Sequence, residues 1–381
     1  MQLVNAPKYI KNDKGFLLIA ALTLLTALTV LGTTAYLLSS TDIKIGGNFR
    51  NGEMVLQAAM AGAERGRENL RLLNLSSTNK YSFSDELLSR VGPNAILNGY
   101  SATTDDVALA SGTFGSAYSS VSYVAYLTND AGEGLGVSSV VDTNNKVLIT
   151  SVATGPNNSK AKVAMVVTWY PPPPSPAMIY SKDDITLNGS SLVISGIDAC
   201  GGGTNLAPIY TMDPATTTTH GLPTLLGNPA TPTHGPLDID LQEYIDAFMP
   251  ATVTLTTDPP SGGTYGSPSN YVTVYADAQA TQADHELRLN NVTGYGILLV
   301  KGDLQTAGNF NWNGLIIVTG NVSSTGGAGS VKNIQGQILM GGSSLGDTSI
   351  SGSVAIGYNS CNVRQALSAK PLKIVNWKHY Y

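Results

Sequence analysis

KGFLLIAALTLLTALTVLGTTAYLL, from Lys14 to Leu38, carries no proline and, from Phe16 onward, no charged residue. At ~1.5 Å rise per residue, a helix over residues 16–38 is about 34 Å long, enough to cross a hydrocarbon core of roughly 30 Å. Lys8, Lys11 and Lys14 precede the run against one acid, Asp13. A short lysine-rich flank stays cytoplasmic, so the rest of the chain is expected on the far side of an inner membrane. A cleaved secretory signal has an apolar region of only ~7–15 residues ending at a small-x-small site. This run is longer and ends in Tyr36-Leu37-Leu38-Ser39-Ser40, which fits a retained span.

The apolar pattern continues beyond the span as helical spacing to about Asn74. Val55, Ala59, Gly62, Gly66, Leu70 and Leu73 form one stripe, and Glu53, Glu64, Arg67, Glu68 and Arg71 lie largely off it. Gly46, Gly47 and Gly52 each cost the helix about 1 kcal/mol against alanine, which predicts a kink or frayed patch there.

A basic leader ending in Lys14-Gly15, then Phe16 and an uninterrupted apolar helix, resembles the class III signal of type IV pilins and type II secretion pseudopilins. The resemblance implies that prepilin peptidase cuts between Gly15 and Phe16 and methylates the new terminus. It also implies that the helix packs with the major pilin and other minor pilins. Most such proteins carry glutamate at the fifth mature position, and this chain has Ala20. In the family that acid pairs with a neighbour's terminal amine, so its absence points to a minor subunit at a filament tip rather than a bulk one. Ile45-Gly46-Gly47-Asn48-Phe49-Arg50-Asn51, followed by Leu56-Gln57-Ala58-Ala59-Met60-Ala61-Gly62, resembles PilX-type assembly proteins, with Asn48 and Arg50 in the shared phrase and Met60 where an acid is usual.

The chain of 381 residues has net charge −5, only 12% charged residues and 41 glycines, which gives no overall basic field for nucleic acid. Cys200 and Cys361 fall in the exported part, where a disulfide can form; two buried thiols are the alternative.

Residues 76–118 read as a Ser/Thr/Gly-rich connection with a short helix at 85–90. Val121 to Leu127, Lys146 to Ala153 and Lys162 to Tyr170 alternate as strands of an antiparallel sheet, the last two joined through Gly155-Pro156-Asn157-Asn158. Asp142-Thr143-Asn144-Asn145, with Asp130 and Glu133 upstream, has the oxygen-rich look of a calcium loop but lacks the glycine and distal glutamate of an EF-hand, so a plain turn is expected. Pro171–Pro174 reads as a semi-rigid spacer.

Beyond it, Gly296-Ile-Leu-Leu-Val-Lys-Gly302, Gly314-Leu-Ile-Ile-Val-Thr-Gly320 and Gly336-Gln-Ile-Leu-Met-Gly-Gly342 repeat one phrase. Gly352 to Gly357 looks like a shortened copy and Gly189 to Gly196 like an earlier one. The spacing suits a β-solenoid with one short strand per coil. Strands apolar throughout must be covered on both faces, and Leu237 to Met249, at helical spacing, is the expected cover. The region around Gly294-Tyr295-Gly296 and Gly308 to Gly314 resembles the C-terminal part of large PilX-like proteins. Phe310 and Trp312 are expected to cap the coil stack or, if exposed, to bind sugar, and Val375 to Tyr381 to close this domain.

Solenoids that cleave polysaccharides need clustered acids. The strands offer only scattered Lys301, Asp303, Lys332 and Asp347. His220, His234, His285 and His379 lack metal-ligand spacing, and Gly326 to Gly329 lacks the lysine of a phosphate loop. The expectation is therefore a non-enzymatic α+β, predominantly β protein without cofactor or metal. Its expected parts are a leader (1–15), a helix (16–75, transmembrane 16–38), a pilin-like sheet (76–170), a proline linker (171–176) and a β-solenoid-like domain (177–381). A minor pseudopilin and a membrane-anchored adhesin that binds a surface glycan are the alternatives. The protein is expected in the inner membrane with its N-terminus cytoplasmic, then on an extracellular pilus.

Overall fold

The structure, a computed structural model, describes residues 13–76, 82–90, 107–114, 121–130, 132–133, 140–325, 331–342 and 348–380. Most of the expected leader, the Gly326 to Gly329 turn and Asp347 lie outside them.

Helix α1 (Asp13–Ser76) is continuous. The expected break at Gly46, Gly47 and Gly52 is not there: all three are helical, and added side chains would meet open space. Helical hydrogen bonds on both sides carry the backbone across, at the propensity cost that glycine imposes. The C-terminal half of α1 packs on a five-stranded antiparallel sheet. Its strands are β1 (Ala110–Phe114), β2 (Val121–Asn129), β3 (Lys146–Thr154), β4 (Lys160–Thr168) and β23 (Lys373–Tyr380), in the order β1-β2-β3-β4-β23. Helix α2 (Ser84–Arg90) is the short helix expected at 85–90, and β1 lies in what the sequence suggested was connection. Val55, Ala59, Ala63 and Leu70 of α1 share a core with Ala125, Leu127, Ile149, Val163 and Met165. At the β3–β4 turn, Asn157 and Asn158 take left-handed φ of 55° and 57°, which asparagine tolerates.

Everything between β4 and β23 is one insertion, a parallel β-solenoid. One of its sheets uses β5 (Ala177–Ser181), β7 (Val193–Ser195), β8 (Ala207–Met212), β10 (Thr224–Leu226), β11 (Thr233–Gly235), β12 (Val253–Leu255) and β13 (Thr264–Tyr265). It continues with β14 (Val272–Asp277), β16 (Thr293–Lys301), β18 (Phe310–Val318), β20 (Lys332–Met340) and β22 (Val354–Tyr358). The opposing sheet is β15 (Glu286–Asn290), β17 (Asp303–Ala307), β19 (Val322–Thr325), β21 (Thr348–Ser351), β6 (Ile185–Asn188) and β9 (Thr217–His220), in that order.

Gly296, Gly314 and Gly336 stack in register, one per coil. The first two have φ of 136° and 134°, and a Cβ on any of the three would run into the neighbouring coil's backbone. The shortened copy is out of phase: Val354 and Ile356 pair with Lys332 and Ile334, ahead of the third phrase, while β5 covers the phrase itself through Ile179 and Ile338. The first coil therefore stacks on the last, in the middle of the solenoid, and β10–β11 and β12–β13 form its ends.

Leu298, Ile316 and Ile338 point into the solenoid and Ile297, Leu315 and Leu339 point out, as a strand buried on both faces requires. The outer face is covered by α3 (Leu241–Ala247), through Leu241, Ile245 and nearby Phe248, as expected. Its other cover is α5 (Ser360–Leu367), through Val363, Ala366 and Leu367, which the sequence reading missed. A further short helix, α4 (Ala278–Thr281), lies between β14 and β15.

Two expectations are overturned. Phe310 and Trp312 neither cap the stack nor face solvent: both are fully buried inside it, stacked at 6.2 Å, with Trp312 Nε1 donating to the Gly296 carbonyl at 3.1 Å. Their strand phase sends them inward, over Gly294, where a side chain would collide with the indole. The C-terminal strand does not close the solenoid but pairs with β4 from Lys373 to Tyr380, so the repetitive region ends before it. The proline run is docked rather than free, with Pro173 and Ser175 buried.

Lys332 is 1% exposed inside the solenoid, where its ammonium donates to Ser324 Oγ at 2.9 Å; desolvation pulls its pKa down to about 8. The unfolded chain keeps the proton up to about 10.5, so stability from this group rises between pH 8 and 10.5 and is lost as pH falls through 8. Lys332→Met should thus raise stability by roughly 1–3 kcal/mol at pH 7, with the gain shrinking by pH 10 in denaturant titrations. Separately, Trp169 and Leu372 belong to the head core and flank the insertion. Replacing residues 171–370 by a short Asn-Gly turn should leave a head that unfolds cooperatively by circular dichroism; a non-cooperative melt would refute the insertion topology.

Candidate functional site

Helix α1 has two regimes. From Phe16, 77% exposed, to Phe49, 71% exposed, its large apolar side chains stand exposed; from Val55, 1% exposed, onward one stripe of them, with Ala59, Ala63 and Leu70, is buried on the head. The free part is long and apolar enough to cross a membrane. Its threonines suit that solvent, because Thr23, Thr26, Thr29, Thr33 and Thr34 return their hydroxyls to carbonyls three or four residues back.

Gly15, Phe16 and Ala20 lie together at the exposed start of α1, and a Cβ on Gly15 would meet nothing within 4 Å. Asn48 and Arg50 sit roughly 45–50 Å further along the axis by helix rise, so the two groups do not form one site. Arg50 instead lines an apolar groove of about 620 Å³ with Glu53, Met54, Ala58, Phe114 and Val121, where α1 meets the sheet edge. Met60 is half-buried against the head core. Below the groove, small residues let the helix approach closely: a Cβ on Gly66 would sit 3.1 Å from Ile149. Arg67 and Arg71 donate to the carbonyls of Leu372 and Ser368 at 2.8 and 2.9 Å, tying α1 to the chain that leaves the solenoid.

Cys200 and Cys361 form a disulfide between the loop after β7 and the start of α5. Asp198 reinforces this closure. Its carboxylate accepts from Ser360 N at 2.9 Å, Ser360 Oγ at 2.7 Å, Cys200 N at 3.1 Å and Gly203 N at 2.7 Å. Burial opposes its charge, but these hydrogen bonds outweigh it and hold the carboxyl below its usual range.

The Asp142 turn is knit by its own groups: Asn144 Nδ2 donates to Asp130 Oδ1 at 2.9 Å, Thr143 N to Glu133, and Phe83 N to Asp142 Oδ2 at 2.9 Å. Burial nonetheless pushes the Asp142 carboxyl up. Among the described residues, no three His, Cys, Asp or Glu side chains converge as a metal site.

The sequence reading missed an acidic group at the edge of the second solenoid sheet, because Asp258 is distant in the chain. There Arg288 pairs with Asp258 at 3.7 Å, with Glu286 at 2.8 Å and with Asp284. Burial raises the Glu286 carboxyl, while exposed Asp284 is lowered, chiefly by its hydrogen bond to Arg288. Lys301 pairs with Asp277 at 3.8 Å, and Asp303 accepts from Asn321 N at 2.8 Å.

No family model matches this chain, and no curated protein sequence is similar to it. Among solved structures, the crystal structure of the competence-associated pilin ComZ from Thermus thermophilus aligns over 87% of this chain and 98% of that chain, at 10% identity and a TM-score of 0.21.

The disulfide closes a sequence separation of 161 residues, for which loop entropy allows up to about 5 kcal/mol. Cys361→Ala should lower the melting temperature by several degrees in calorimetry, and reductant should reproduce the shift in the wild type only. Equal melting of both proteins would show that Asp198 alone suffices.

Proposed function

We propose that this chain is a minor type IV pilin of PilX type that joins or primes a pilus through α1 and displays the solenoid outside the cell. One observation carries the reading: α1 is a single helix whose first part is apolar and unpartnered while the rest is built into a sheet head. A helix so exposed needs a bilayer first and other helices afterwards. Prepilin peptidase acts between Gly15 and Phe16, on the cytoplasmic side of the inner membrane, and the new terminus is methylated.

Ala20 sets the position in the filament. A subunit in the shaft has a neighbour's terminal ammonium buried beside it, and an unpaired buried charge costs several kcal/mol. Alanine cannot offset that cost, and at the tip no such amine arrives. The inserted solenoid agrees, since a head of this width crowds a tightly wound shaft. A role as a minor pseudopilin of a secretion system shares the same signal and helix and differs in which assembly fails without the gene.

Peptide mass spectrometry should find the mature N-terminus at Phe16, carrying a methyl group; an N-terminus at Met1, or one after Leu38, sinks the proposal. In sheared pili the protein should be far scarcer than the major pilin, and deleting the gene should remove pili. Loss of secretion with pili intact would assign the pseudopilin role instead.

A further inference from the structure

We propose that the Cys200–Cys361 disulfide is a thiol-exchange site, at which an external thiolate attaches to Cys200 and releases Cys361. The bond lies within reach of solvent. Cys361 is exposed, and half-buried Cys200 is followed by exposed Gly201 and Gly202, where an added Cβ would meet nothing within 4 Å. The glycine side of Cys200 is therefore open to an incoming thiolate, the species that attacks a disulfide.

The two sulfurs are not equivalent. Cys361 is the second residue of α5, where the amides of a helix start favour negative charge. Arg364, one turn on, places Nη2 3.9 Å from its Sγ. A helix start and a neighbouring guanidinium both lower the pKa of a thiol. Cys200 lies in the loop after β7, outside any helix. Asp198 is hydrogen-bonded to the chain on both sides of the bond, so its charge does not tell the sulfurs apart; Arg364 and the helix do. In exchange the lower-pKa thiolate leaves faster, which directs attack to Cys200. The incoming sulfur bonds to Cys200 Sγ, the S–S bond breaks, and its electron pair stays on Cys361 Sγ without transfer of a proton. A second external thiolate can then remove the first as a disulfide, leaving both cysteines reduced.

The fold is arranged to keep the pair together once the bond opens. Asp198 Oδ1 accepts from Cys200 N at 3.1 Å and from Ser360 N at 2.9 Å, hydrogen bonds that exchange does not touch. Val363, Ala366 and Leu367 keep α5 seated on the outer face of the solenoid in either state. The released Cys361 stays opposite Cys200 and can displace the attached thiol, so the reaction is reversible. The ligand class is a monothiol small enough to reach a half-buried sulfur, and glutathione is the probe. The proposal rests on this closure and stands apart from the pilin reading.

The test uses the full chain in non-ionic detergent. After brief exposure to reduced glutathione and an N-ethylmaleimide quench, peptide mass spectrometry should find glutathione on Cys200 and maleimide on Cys361, with the reverse pattern at least roughly tenfold rarer. In Cys200→Ser, alkylation of Cys361 by iodoacetamide should be half-maximal at a pH below about 7.5. In Cys361→Ser, alkylation of Cys200 should have its midpoint at about 8.5. Arg364→Gln should raise the Cys361 midpoint and slow glutathione attachment, while Arg364→Lys, which keeps the charge, should preserve both. Glutathione mainly on Cys361, no attachment at either cysteine, a Cys361 midpoint at or above that of Cys200, or an Arg364→Gln midpoint equal to that of the native arginine would each overturn the proposal.

Discussion

The ladder between β4 and β23 is the constraint on which the rest depends. These strands are antiparallel neighbours, yet the whole solenoid lies between them in the chain. The sheet can be completed only if the insertion returns its two ends side by side. A solenoid built in simple chain order would leave its first and last coils far apart. This one places β5 against β20 and β7 against β22, so entry and exit meet at mid-stack. The disulfide and Asp198 hold that meeting point, and Arg67 and Arg71 carry it to α1.

The helix answers to a different rule in each half. Where it faces the sheet, alanine and glycine bring the backbones close, and the energy comes from apolar area removed from water. Where it leaves the sheet, large apolar side chains stand exposed and only a bilayer or other helices can cover them. One covalent rod therefore joins two environments without a joint, and the glycines that suggested one are simply helical.

Local physics was legible in the sequence and long-range order was not. The span, the antiparallel strands 121–129, 146–154 and 160–168, and the in-register glycines at 296, 314 and 336 follow from spacing alone. The phase of Phe310 and Trp312 was not readable, since in a strand flanked by glycines a one-residue shift turns a side chain from outside to inside. The partner of the last strand, and the order in which coils stack, depend on contacts between segments far apart in the chain.

The double connection also decides how the protein would respond to a pull. A domain on one linker passes tension to a single strand end, which peels away bond by bond. Here a load on the solenoid along the strand axis draws β4 and β23 in the same direction, and their mutual ladder travels as a unit. The resisting element is the pairing of β4 with β3, nine residues on each strand and stretched lengthwise, so its hydrogen bonds share the force at once. The head is thus wired as a shear joint, the stiffer of the two ways a sheet can be loaded.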